Sequence, residues 1–140
     1  MLHSFIKCPR WIPTVTWMAQ TRTQILGHTG ERLAAEHYER LGYAVLARNH
    51  RTRSSELDIV VSDGSTLVFV EVKTSLAGRL DPLDSLTRTK RHRLRRAAGE
   101  WLAERPHAPR SRELRFDAVA VVIDGDGRLV SLEQFEGIEV

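Results

Sequence analysis

The 140-residue sequence has a single cysteine, Cys8, which excludes a disulfide scaffold and any cysteine-rich zinc site. One thiol also fits a reducing compartment, so the expected location is cytoplasmic. Long apolar runs are missing too. The longest uncharged stretch worth weighing, Trp11 to Thr21, holds Pro13 and is interleaved with Thr14, Thr16 and Gln20. A spanning helix needs about 20 mostly apolar residues, so no membrane segment is expected. The same stretch has no compact Leu- or Ala-rich run and no small-residue cleavage site, so it does not read as a signal peptide. Internal repeats and low-complexity tracts are absent. Charge of one sign is scarce: 21 Lys and Arg against 18 Asp and Glu leave +3, a lean towards a polyanionic partner that decides nothing alone. What remains is ordinary for one folded domain, with 41% hydrophobic and 28% charged residues. Regular patterning begins only after Met18, a second candidate start, so residues 1–23 read as a loose extension and 24–140 as the domain.

From Gly30 the pattern is helical, with Ala34, Ala35, Tyr38 and Leu41 on one face and Gly42 as the closing glycine. Tyr43 to Ala47 reads as a short strand, and Arg48 to Ser55 as a polar, basic loop. Leu57 to Val61 is strand-like, Asp63-Gly64-Ser65 is a turn, and Leu67 to Lys73 is the strongest strand in the chain. A long helix is predicted from Asp81 as cap, with Pro82 in the first helical position, to about Glu104. Phe116 to Ile123 reads as a buried strand, Asp124 to Gly127 as a hairpin turn and Leu129 to Leu132 as its return. The order is αβββαββ, an α/β fold with a mixed sheet flanked by helices.

Several polar residues break this pattern. A symmetric turn pairs Ser62 with Leu67, and counting back sets Asp58 opposite Glu71 and Glu56 opposite Lys73, all on one face. Facing carboxylates repel unless a cation lies between them, and hard divalent ions take oxygen ligands. Lys73 would stand roughly 6–7 Å along the strand from Glu71. Glu31 shares the stripe of Ala34, Ala35 and Tyr38 and needs a partner if buried. Lys90 interrupts the stripe Leu83, Leu86, Leu94, Ala97 and Trp101, so it either snorkels out or meets an acidic site. The plainer reading is a surface ion-pair network, which imitates such sites.

Asp58, twelve intervening residues, then Glu71-Val72-Lys73 resembles the PD-(D/E)XK nuclease motif. The ordered set Gly30-Glu31, Leu41-Gly42-Tyr43, Leu46-Ala47-Arg48-Asn49, Glu56-Leu57-Asp58, Phe69 to Thr74, Lys90, Ala97-Ala98 and Arg115-Phe116-Asp117 resembles the YraN family. That is a poorly characterised bacterial family, itself similar to archaeal Holliday-junction resolvases. The resemblance covers about Gly27 to the C-terminus. It implies a restriction-endonuclease-like fold and a catalytic set of Glu31, Asp58, Glu71 and Lys73. Asp58, Glu71 and Glu31 would hold Mg²⁺ or Mn²⁺, Lys73 would assist the attacking water, and Glu56 and Lys90 would support the ligands from just outside. Two residues depart from the family pattern: Ser55 stands where Gly is usual, and Ser75 where Arg commonly follows the lysine strand.

Arg88, Lys90, Arg91, Arg93, Arg95 and Arg96 fall in one stretch without an acid, and Arg48, Arg51 and Arg53 lie on the other side of the site. Such residues neutralise phosphates, so nucleic acid, DNA first, is the expected partner, with Arg48, Arg51, Arg53, Arg88, Lys90, Arg91 and Arg95 as contacts. Nothing reads bases, so preference for structure over sequence is expected. Arg115 and Asp117 share a strand face and read as a structural ion pair. Related nucleases dimerise, and the helix faces leave room for a homodimer. The expected function is a metal-dependent nuclease acting on branched or processed DNA. The alternative is a non-catalytic nucleic-acid- or partner-binding module of the same fold.

Overall fold

The computed structural model describes residues 21–78, 82–106 and 111–140. The extension read over residues 1–23 therefore lies almost wholly outside the described residues, as do Cys8, Met18 and Asp81. The elements are α1 (Arg22–Arg40), β1 (Ala44–Arg51), β2 (Glu56–Ser62), β3 (Thr66–Leu76), α2 (Arg88–Ala103), β4 (Glu113–Ile123) and β5 (Leu129–Phe135), with a 3-10 turn at Pro82–Ser85. The strands form one five-stranded sheet in chain order. Neighbours are antiparallel except β3 and β4, which run parallel. A parallel pair needs a crossover, and α2 supplies it. The expected order and the mixed sheet are both present.

Side-chain alternation along β3 builds a core on each face. Val68, Val70 and Val72 pack with Ala34, Ala35 and Tyr38 of α1, and with Ile59, Val61, Val119 and Val121. Leu67 and Phe69 pack on the opposite face with Leu94, Ala97, Ala98 and Trp101 of α2, and with Leu57 and Val60. Of the apolar stripes predicted for the two helices, Ala34, Ala35 and Tyr38 and Leu94, Ala97 and Trp101 are buried, whereas Leu41, just past α1, is exposed and Leu83 and Leu86 lie outside α2.

β3, β4 and β5 each run a few residues beyond the sequence reading, and three other boundaries differ more. The first helix begins at Arg22, well before Gly30, because Thr21 and Gln24 form a reciprocal capping box. β1 runs on through Arg48 to Arg51, which read as loop. It is an edge strand paired only with β2, so its outward residues need not be apolar. α2 starts at Arg88, not beside Asp81, because the Thr87 side chain accepts from Lys90 N–H as N-cap and Pro82–Ser85 closes as a separate 3-10 turn.

Candidate active site

The β2–β3 hairpin sets the site. Asp63 Oδ1 accepts from Ser65 N–H and Thr66 N–H at 2.9 and 2.7 Å, which closes the turn. The pairing then runs from Ser62↔Leu67, as counted, to Ile59↔Val70, where it ends. Leu57 packs in the α2-side core and Ile59 in the α1-side core. Residues two apart share a face in a regular strand, so β2 changes sides at Asp58. Val72 N–H donates to Asp58 Oδ2 at 2.8 Å, a side-chain bond just past the last paired residues.

This geometry corrects the expected placement of Glu56. It does not lie opposite Lys73; it pairs with Arg51 on the β1 side and is exposed, because the β2–β3 pairing has already ended. Lys73 meets Glu71 of its own strand instead, Nζ to Oε1 at 3.1 Å. The shared single face for all four residues is likewise replaced by a cluster around the end of the hairpin.

The charges of Glu71 and Lys73 both act on Asp58 there. Burial pushes the Asp58 carboxyl up to about 8, helped by the charge of Glu71 and then of Glu31, while Val72 N–H and Lys73 pull the other way. Glu31 reaches the cluster from α1. That helix lies so close to β3 that a Cβ on Gly30 would stand 1.8 Å from Thr74 Oγ1, so only glycine fits. Burial raises the Glu31 carboxyl, the Asn49 side chain and the His28 ring lower it, and the Glu56 charge raises it. His28 Nδ1 lies 3.5 Å from Glu31 Oε2, yet that buried oxygen has no hydrogen-bond partner.

A hard divalent cation suits this donor set. The oxygens are carboxylate, the half-buried Asp58 carries the cost of a neighbouring like charge, and Glu31 Oε2 is an unsatisfied acceptor. Among the described residues, however, no three His, Cys, Asp or Glu side chains converge at ligating range. Asp58 and Glu71 would be the residues to hold such an ion, with Glu31 as a further oxygen donor nearby, and an ion with so few protein ligands would be one such as Mg²⁺.

The remaining residues are less gathered. Lys90 sits on the buried stripe of α2 but in its first turn, not mid-helix, because the helix starts late; it is half-buried. Arg88, Arg93, Arg95 and Arg96 are exposed along α2. Arg91 is half-buried and donates from Nη1 to Glu139 O at 3.3 Å. Arg48, Arg51 and Arg53 are all exposed, and Arg48 also pairs with Glu39 at 3.3 Å. The loop carrying Arg53 is tied to α2, since Ser54 N–H and Oγ donate to Glu100 Oε2 at 3.1 and 3.0 Å. Asn49 entered the sequence reading only within the family resemblance, with no role, and His28 and Glu100 not at all. Of these only Asn49 carried a signal, as a residue type that tolerates left-handed backbone.

No helix among the described residues is long and apolar enough to cross a membrane. Comparison with known proteins finds relatives of similar length. A UPF0102 protein of Corynebacterium efficiens is 45% identical over 121 residues, covering 86% of this chain and 96% of that protein. One from Pelotomaculum thermopropionicum is 42% identical over 120 residues, covering 85% and 98%. One from Beutenbergia cavernae is 50% identical over 99 residues, covering 69% and 81%. A family model described as uncharacterised protein family UPF0102 matches residues 30–121, from within α1 into β4, a stretch that includes Glu31, Asp58, Glu71 and Lys73. The chain belongs to the UPF0102 family.

Proposed function

We propose that this protein is a Mg²⁺- or Mn²⁺-dependent nuclease of restriction-endonuclease-like fold that hydrolyses phosphodiester bonds in DNA. The observation that carries the reading is the meeting of Asp58, Glu71 and Lys73 where β2 leaves β3, with Glu31 brought to the same point by α1. Val72 N–H holds Asp58 Oδ2, which leaves Oδ1 for a cation. When bound, the divalent ion supplies an acidified water and a positive clamp for a phosphate oxygen. Glu71 Oε1 holds the Lys73 ammonium within 3.1 Å, and Nζ from there orients the attacking water and offsets charge growing on the phosphoryl oxygens. Glu31 Oε2, which has no hydrogen-bond partner within the protein, is free to accept one from water at the site. Exposed Arg51, Arg53, Arg88 and Arg95 receive flanking phosphates, a contact that positions DNA without reading sequence.

The test is a panel of single-stranded, duplex and junction DNAs incubated with Mg²⁺ or Mn²⁺. Cleavage by the wild type that falls about 10²-fold or more in Asp58→Ala and in Lys73→Ala supports the reading. No cleavage anywhere on the panel, or equal cleavage by the variants, overturns it. Salt-sensitive, metal-independent DNA binding indifferent to Asp58 and Glu71 would assign the fold to a binding module instead.

A further inference from the structure

We propose that β5 is the contact edge of a homodimer: two copies of this chain pair their β5 strands antiparallel and join their sheets into one of ten strands.

The sheet has two open edges, β1 and β5. An open edge offers unpaired N–H and C=O groups to another strand. β1 is guarded. Its pairing with β2 shifts between Val45 and Ala47, Asn49 is left-handed at φ 47°, and Arg48 and Arg51 are exposed on a strand that carries no acid. Pairing two such edges would bring like charges together. β5 has neither lysine nor proline along Leu129–Phe135, and its Leu129 and Val130 are 45% and 56% exposed. Leu129 ends an apolar row across the sheet, in which Leu76 pairs with Ile123 and Ile123 with Leu129, so the row runs out at the open edge. Val130 is skipped in the pairing with β4 and is the most exposed large apolar residue among those described.

Charge names the occupant. Arg128 immediately precedes β5 and Glu133 lies towards its end. Both are exposed, and neither side chain has a hydrogen-bond or ion-pair partner among the described residues. A two-fold axis reverses the second strand, so the Arg128 end of each copy meets the Glu133 end of the other, with Leu129 and Val130 between them. One edge thus carries a base, an apolar middle and an acid, and is complementary to itself. A contact of one strand per copy is small, so the dimer is a reversible one. It sets the two β3 strands, which carry Glu71 and Lys73, five strand spacings or about 24 Å apart. The pairing does not depend on the site being hydrolytic.

Sedimentation velocity of the full chain in EDTA, across micromolar concentrations, should show a reversible monomer–dimer equilibrium. Arg128→Glu and Glu133→Arg should each raise the dimer dissociation constant about 10-fold, and the double variant, which restores opposite charges across the axis, should return close to the wild type. The two single changes move the net charge in opposite directions, so bulk charge alone would tighten one dimer and loosen the other. Val130→Lys, at an exposed position, should melt with the wild type where both are monomeric and should abolish the dimer. Hydrogen exchange of β5 amides should slow as wild-type concentration rises and stay constant in Val130→Lys. A wild type that remains monomeric, opposite effects of the two single reversals, or a double variant no tighter than either would overturn the proposal. Slow β5 exchange in a monomer at every concentration would overturn it too and assign the edge to the chain's own residues.

Discussion

Arg115 holds Asp117 through two parallel hydrogen bonds, Nε to Oδ1 at 2.8 Å and Nη2 to Oδ2 at 2.9 Å, although the two residues share one strand. Asp117 is 0% exposed and also accepts from Tyr38 Oη at 2.7 Å, Gln134 Nε2 at 3.1 Å and Gly137 N–H at 3.1 Å. It thus ties α1, β4, β5 and the segment after β5 together.

Asp117→Ala is expected to cost about 3 kcal/mol, since the part-buried Arg115 guanidinium and the buried Tyr38 hydroxyl lose their acceptor at once. Urea denaturation at pH 7 checks this. Burial alone would raise the Asp117 carboxyl, but Arg115, Tyr38 and Gly137 together hold it below the ordinary range. A lowered native pKa gives stability that is present above the unfolded value of 3.8 and lost as pH falls through the native one. Wild-type stability should therefore drop on acidification below about pH 4, and Asp117→Asn should flatten that part of the profile.

Asp58 gives the opposite slope. Its native value of about 8 exceeds the ordinary 3.8, so the folded chain holds that proton more tightly than the unfolded chain does. In EDTA this makes stability fall as pH rises between those two values. Asp58→Asn removes the dependence and should melt higher than the wild type at pH 8, by about 4 °C for each ~1 kcal/mol relieved. Mn²⁺ should raise the wild-type melting temperature at pH 8 and leave that of Asp58→Asn nearly unchanged. Equal pH profiles for the two proteins in EDTA would contradict the burial of this acid.

Gly30→Ala forces a methyl onto Thr74, whose Oγ1, Cβ and Cγ2 stand 1.8, 2.8 and 2.9 Å from the added atom. The expected cost is about 1–3 kcal/mol, because α1 must lift from β3. Thr74→Ala removes Oγ1 and Cγ2, so the double variant should lose less than the sum of the two single variants. Thermal melts of the four proteins measure the coupling.

The arginines of α2 should separate into two kinds. Arg88→Gln and Arg95→Gln, at exposed positions, should leave the fold alone and reduce the salt dependence of DNA binding, by about 0.9 in log–log slope for each phosphate no longer neutralised. Arg91→Gln breaks the bond to Glu139 O and should lower stability with less change in slope. Fluorescence anisotropy across a salt series distinguishes them.

The legible parts of this molecule were those governed by local turns and by burial. Ser62↔Leu67 followed from Asp63-Gly64-Ser65, because a tight turn dictates the pairing beside it. The helix faces followed from Ala34, Ala35, Tyr38 and from Leu94, Ala97, Trp101, because a buried stripe must be apolar. β1 was half hidden, since Arg48 to Arg51 at a sheet edge have no need of apolar side chains. The start of α2 was misplaced because Asp81 and Thr87 are both capping residue types, and local chemistry does not choose between them. The pairing of Glu56 with Lys73 failed for a different reason. Counting assumes unbroken alternation, and the change of side at Asp58 depends on which core Leu57 and Ile59 enter, a matter of tertiary packing.

That crossing at Asp58 means neither layer of the protein owns the candidate site. A shift of α1 would carry Glu31 away, and a slip of β3 would carry Glu71 and Lys73, so the acids assemble only when both halves of the interior have set. Any ligand that bridges them reports on the whole architecture, and its binding would stabilise α1 and the hairpin together.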